Sequence, residues 1–141
     1  MENGKGAVNL NAIPESHRDL VTDEKRAFAS LATLMDDGSP QVTPVWFDVE
    51  GDLLRINTVR GRVKDRNMAS RKEVALLIMD PEDPYRYIQI RGTVAAEREE
   101  DAVEHTHLLA RKYLGVDKNP WHEGQSRVIF LIRPDTVSTM G

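Results

Sequence analysis

The stretch "INTVRGRVKDRNM", Ile56 to Met68, decides how this chain is read, because it runs from a strand into a helix and sets Arg60, Arg62, Lys64 and Arg66 at every second position between them. Ile56, Thr58 and Val59 suit a strand, Gly61 breaks it, and Val63 and Met68 are the few apolar points of a helix of about two turns. With Arg71 and Lys72, six of the 19 Lys and Arg residues fall within thirteen positions of a chain whose net charge is -4. A strand ending at such a turn aims backbone N–H groups and the positive end of the next helix at one spot, where Arg62 and Lys64 add charge. A phosphate or carboxylate suits that spot, since Arg offers a fork of donors and Lys a point charge. The competing reading is a solvated basic helix whose charges pair with Asp65 and Glu73.

Upstream, "AFASLATLMDDGSPQVTPVWFDVEGDLLRINTV" holds three strand-like runs separated by the turn chemistry of "DDGS" and "EGD", an antiparallel meander. Pro40 and Pro44 cannot donate to a ladder, so the middle strand should begin late, bulge, or lie at an edge. Trp46 alternates with Phe47, which predicts one ring in the core and the other at a cleft or interface. Downstream, "EVALLIMD" reads as a buried strand closed by the loop "PEDP", and "YRYIQIRGTVAAERE" as a long strand with two different faces. "EEDAVEHTHLLARKYLG" is a helix with a stripe of Ala102, Val103, Leu108, Leu109 and Tyr113, stopped at Gly115. After the loop "KNPWHEGQ", which presents Trp121 and His122, "SRVIFLIRPDTV" is a last strand ended by Pro134. Six strands with a long helix before the last predict a closed or nearly closed antiparallel barrel with peripheral helices. Residues 1–13 read as a flexible arm, "PESHRDLVTDEKRA" as a short surface helix, and 14–141 as a single domain.

Composition narrows the function. With 40% hydrophobic and 30% charged residues, the 141-residue chain has ordinary globular usage, and no apolar run is long enough to cross a bilayer. It has no cysteine, which excludes disulfides and a thiol nucleophile, and its start lacks the apolar core of a secretory signal, so a cytoplasmic location is expected. A sequence pI of 5.6 argues against general nucleic-acid binding. His105 and His107 stand about 200° apart on their helix and cannot share a metal, so none is assigned. No nucleophile elbow, dinucleotide or phosphate loop is present, and no side chain is nominated as a catalytic acid or base.

Taken together, "PQVTPVWFDVEGDLLRINTVRGRVKDRNM", "VALLIMDPEDPYRYIQIRGTV" and "RVIFLIRPDTV" resemble the pyridoxamine 5′-phosphate oxidase-like, FMN-binding split-barrel superfamily, above all its small flavin/deazaflavin oxidoreductases. The resemblance implies a mainly β (α+β) fold, a six-stranded antiparallel split β-barrel, forming a homodimer with cofactor sites at the subunit interface. It implies that Thr58, Arg62 and Lys64 hold the cofactor phosphate with Asn67 and Met68 close behind. Val42, Thr43, Pro44 and Val45 then lie against the cofactor ring, and Tyr85 and Trp121 come from the other subunit. The form "GRVKDRN" is similar to the branch that uses the deazaflavin coenzyme F420, with FMN as the alternative, and Arg60 and Arg66 would meet a polyglutamate tail. The chain stops soon after its last strand, without the extra C-terminal segment of the oxidases proper, which argues against oxidation of a pyridoxal precursor. The function implied is hydride transfer from reduced deazaflavin to a conjugated small-molecule acceptor, biliverdin-, quinone- or enone-like. The alternatives are an FMN-dependent oxidase or reductase and a non-enzymatic carrier of the cofactor. In either enzyme the hydride chemistry belongs to the cofactor.

Overall fold

Period-two alternation of apolar side chains organises most of the strands, and in the computed structural model, which describes residues 10–141, seven strands form one antiparallel sheet. They are β1 (Ala29–Leu34), β2 (Pro40–Val45), β3 (Asp48–Glu50), β4 (Leu53–Val59), β5 (Glu73–Asp80), β6 (Asp83–Arg98) and β7 (Arg127–Met140), ordered β2-β1-β5-β6-β7-β4-β3. Helix α1 (Val63–Ser70) follows β4, helix α2 (Ala102–Leu114) follows β6, and Leu10–Ala12 and Glu15–Val21 are 3-10 segments. On β4, Leu54, Ile56 and Thr58 turn to the main core with Val128, Phe130 and Ile132 of β7, while α2 packs Ala102 on the opposite face against Ile129 and Leu131. Among the described residues no helix is long and apolar enough to cross a membrane.

The sheet is open, which corrects the expected six-stranded barrel. Strands β2 and β3 are its two edges and do not pair with each other. The seventh strand arises inside "PVWFDV", which breaks at Trp46 and Phe47: β2 stays on β1, and β3 crosses to pair with β4. Phe47 is fully buried, and its N–H donates to the Tyr113 hydroxyl at 3.2 Å instead of to a neighbouring strand. Since only two residues separate β2 from β3, the Cα atoms of Val45 and Asp48 are at most about 11 Å apart. The sheet therefore curls until its edges meet at one corner, and no hydrogen-bonded ladder closes it. The edge position of β2 is the one that Pro40 and Pro44 require.

Three further expectations change. Strand β7 does not stop at Pro134 but runs on to Met140; Pro134 lies opposite Gly92, where the register of β6 shifts. A Cβ on Gly92 would stand 2.6 Å from the Arg133 carbonyl oxygen, so only glycine admits this approach. On α2 the buried face is Ala102, His105, Thr106, Leu109 and Ala110, with Val103 and Leu108 turned outward. The surface helix expected from Pro14 is a single 3-10 segment that buries His17 and Leu20. Most of the expected arm, residues 1–9, lies outside the described residues, while Leu10 and Ile13 pack into the core.

Replacing Gly92 by Ala should destabilise the chain by about 1–3 kcal/mol through overpacking of β6 on β7. A urea midpoint equal to that of the parent chain would contradict the close approach.

Candidate functional site

The turn between β4 and α1 is built by Gly61 and Asp65. Gly61 takes a φ of 94°, which an L side chain rarely adopts, and its N–H donates to Asp65 Oδ2 at 2.8 Å. Asp65 Oδ1 accepts from Arg60 Nη1 at 2.9 Å, while the Arg60 backbone N–H donates to the Ser126 carbonyl at 2.8 Å. Arg60 also donates to Glu97 at 2.8 Å and Glu99 at 2.7 Å, so three carboxylates surround its guanidinium. Arg71 donates to the Leu34 carbonyl and pairs with Asp36, Lys72 caps α1 through the Ala69 carbonyl, and Arg66 donates to the Gly61 carbonyl. Each of these cations stabilises the turn or the helix.

Arg62 and Lys64 are different. Arg62 is the N-cap residue of α1 and Lys64 lies in its first turn, and among the described residues neither forms an ion pair. The pairing with Asp65 that a solvated basic helix would show is absent for both, because Asp65 is taken by Arg60. Burial pushes the Lys64 ammonium below its usual value, and the Arg62 charge pushes it further. Burial and the same Arg62 charge also depress Arg127, at the start of β7 opposite Val59. Arg127 donates from Nε to His122 Nδ1 and from Nη1 to Asn57 Oδ1, both at 2.9 Å, and no carboxylate pairs with it among the described residues. Arg62 thus acts on both Lys64 and Arg127, and with no carboxylate partner for any of the three among the described residues, theirs is a charge that an anion would balance. Arg127 was not singled out from the sequence; its only signal was a charged residue at the head of the apolar run Val128–Ile132.

The other expected site residues divide. Thr58 is buried at the end of β4. Asn67 donates to Thr33 Oγ1 at 3.0 Å and accepts from Arg71 at 3.2 Å, locking α1 to β1, and Met68 is wholly in the core. With Arg60 held by carboxylates, these three side chains are committed to the scaffold. On β2, Thr43 is half-buried and Val45 buried, whereas Pro40, Val42 and Pro44 are exposed. A proline keeps a strand position only where its missing N–H would point off the ladder, so Pro40 and Pro44 fix the parity of the edge. That free edge presents the Val42 N–H and the carbonyls of Pro40, Val42 and Pro44.

Beyond β2 the aromatic side chains gather. Trp46 stacks on Tyr113 with centroids 5.3 Å apart and planes within 7°, and Trp121 tilts against Trp46 at 6.2 Å. The Trp121 N–H donates to Asn119 Oδ1 at 2.9 Å, and Asn119 Nδ2 donates to Thr106 Oγ1 at 2.9 Å, which pins the loop to α2 and leaves Trp121 64% exposed. Burial raises the Tyr113 hydroxyl above its ordinary range; it donates to the Ala27 carbonyl at 2.7 Å. Tyr85 stands 80% exposed beside the β5–β6 turn, and among the described residues no ring packs on it.

The open, curled antiparallel sheet with its two helices is the fold of a flavin- and deazaflavin-binding oxidoreductase-like family. Within that class the pyridoxamine 5′-phosphate oxidase family model matches residues 13–141, and the chain belongs to this family. It is 33% identical to a solved F420 reductase, with a TM-score of 0.79 and coverage of 89% of this chain and 98% of that one. It shares its fold with a conserved hypothetical protein of Mycobacterium tuberculosis, 20% identical with a TM-score of 0.68 over 99% of this chain and 89% of that one. HupZ of Group A Streptococcus has the same fold at 18% identity and a TM-score of 0.65, over 90% of this chain and 93% of that one. No curated protein matches the chain.

Inorganic phosphate should raise the titration point of Lys64, because an adjacent anion favours the charged amine. Phosphate affinity should fall as pH rises through that point, where the amine loses its charge. Following the Lys64 Cε resonance by NMR with and without phosphate checks both, and a titration point unmoved by phosphate would argue against an anion site.

Proposed function

We propose that this chain is a deazaflavin-dependent oxidoreductase that reduces a conjugated small-molecule acceptor, acting as a homodimer with its cofactor at the subunit interface. The observation that carries the reading is the set of Arg62, Lys64 and Arg127, three cations with no carboxylate partner among the described residues, of which Arg62 acts on the other two. Such a donor set fits a phosphate on a polyol arm: the Arg62 fork, the Arg127 Nη2 edge and the Lys64 ammonium are available to its oxygens without first breaking an ion pair. The 33% identity to an F420 reductase favours the deazaflavin over FMN. FMN is the second reading, supported by the family to which the chain belongs.

In this reading Arg62, Lys64 and Arg127 anchor the phosphate, with Thr58 behind them in β4. The exposed edge at Val42, flanked by Thr43, Pro44 and Val45, turns its N–H and carbonyls to the pyrimidine side of the ring. Trp121 and Tyr85, exposed on this chain, meet the cofactor of a second copy. Arg60 is held by carboxylates, so of the two cations suggested for a polyglutamate tail Arg66 is the more available. When bound, the deazaflavin supplies a hydride from a ring carbon. The protein contributes position and exclusion of water, so no side chain need act as acid or base in the hydride step. The acceptor is a biliverdin-, quinone- or enone-like compound. A chain without cysteine needs no oxidising compartment, and the proposal includes a cytoplasmic setting.

Titration with the deazaflavin and with FMN, following quenching of each cofactor's own fluorescence, should show tight deazaflavin binding. Arg62→Ala and Lys64→Ala should each cost about 1.5–3 kcal/mol of that affinity. Unchanged affinity in both variants would refute the phosphate site. Oxidation of reduced deazaflavin by menadione separates the enzyme from a carrier, which would bind the cofactor without acceptor-dependent turnover.

A further inference from the structure

Asn57 lies on the α2 face of β4, and its amide is fixed from both ends. Its Nδ2 donates to the Ala102 carbonyl at 2.8 Å and to His105 Nδ1 at 3.1 Å. Because the amide nitrogen only donates, His105 Nδ1 is the acceptor, and the ring proton sits on Nε2. That proton is donated to Asp48 Oδ1, 2.9 Å away, and Asp48 is held in turn by Arg55 through two bonds of 2.8 and 2.7 Å. Burial alone would raise the Asp48 carboxyl, but the bonds from His105 and Arg55 outweigh it and hold the group below the usual carboxylate range, ionised and fixed as an acceptor.

The chain Asp48–His105–Asn57 therefore dictates which way the Asn57 amide points. Its oxygen faces Arg127 Nη1 at 2.9 Å, and an inverted amide would lose the bonds to Ala102, His105 and Arg127 together. On the other side His122 Nδ1 accepts from Arg127 Nε. Held at two corners, the guanidinium keeps its Nη2 edge without a partner among the described residues. A polar chain this deep is a costly way to pack a helix, since apolar side chains on α2 would cover β4 and β7 with no group left to satisfy. His105 is only 1% exposed, and its bonds lead from the sheet edge at β3 to the anion site.

We propose that Asp48, His105 and Asn57 are positioning residues that preset Arg127 as the third ligand of the phosphate, and so give a phosphorylated cofactor its advantage over the bare ring and sugar. This rests on the reading of Arg62, Lys64 and Arg127 as the phosphate site. Preorganisation is the physical gain: the fork is oriented before the ligand arrives, so less rotamer freedom is lost on binding.

The test uses ligand pairs that share a ring and ribityl arm: FMN with riboflavin, which differ in phosphate alone, and the deazaflavin coenzyme with its ribityl parent, which lacks the phosphate and the tail it carries, each titrated against the full chain. Asn57→Ala should weaken the phosphorylated member about tenfold and leave the other unchanged. In an Arg127→Ala background the same substitution should change neither. His105→Leu should act like Asn57→Ala, whereas His105→Gln, whose amide can bond both neighbours, should retain the preference. Equal losses for both members of a pair, or additive losses with Arg127→Ala, would reduce the chain to a structural brace and overturn the proposal. A parent chain that prefers the phosphorylated member but keeps that preference in Asn57→Ala and His105→Leu overturns the relay alone. A parent chain with no preference, or that binds neither pair, overturns the phosphate site as well.

Discussion

The Asp65 carboxylate is the contact on which the site depends. Buried in the first turn of α1, it accepts the Gly61 N–H and the Arg60 guanidinium together. A buried carboxylate without such partners would be costly, so the turn and the ion pair form as one unit. Its consequence is a division of labour among neighbouring cations. Arg60 is drawn toward Asp65, Glu97 and Glu99, and Arg62, two residues on, pairs with no acid among the described residues. The local charge is thus satisfied on one side of the turn and unsatisfied on the other.

A second constraint acts at the Trp46–Phe47 break. Phe47 sinks into the core, and the backbone around it is held by α2: the Tyr113 hydroxyl accepts its N–H, and Lys112 Nζ donates to its carbonyl at 2.7 Å. Burial depresses the Lys112 ammonium, partly countered by Asp23 at 3.5 Å, so this anchor is a charged group kept in a confined place for the backbone it secures. Without that anchor β2 and β3 would be free to run on as one strand. With it, β2 remains an edge whose outward groups have no partner strand among the described residues.

Much of this was legible in the sequence, and the misses share a cause. The strand, turn and helix around Gly61 could be read because each is a local pattern; for β2 the prolines left a late start, a bulge or an edge open, and the structure shows the edge. The seventh strand could not, because the break at Phe47 depends on Tyr113, 66 residues away. Pro134 seemed to end a strand until Gly92, its partner across the ladder, made room for it. The stripe on α2 was misjudged because His105 and Thr106 look solvent-facing until Asp48, Asn57 and Asn119 are placed beside them. Arg127 is held by Asn57, 70 residues earlier. Local chemistry marks where an anion would be held, but which cations remain free to hold it is settled by pairings across the sheet.

The aromatic corner has an optical consequence. The chain has two tryptophans, Trp46 and Trp121, and their ring centroids are 6.2 Å apart, one half-sheltered on Tyr113 and the other open to solvent. At that separation the two indoles exchange excitation, so all tryptophan emission, selected by excitation beyond the tyrosine band, originates at a single point beside the end of β2. The protein's native luminescence is therefore a local gauge of that corner rather than an average over the fold.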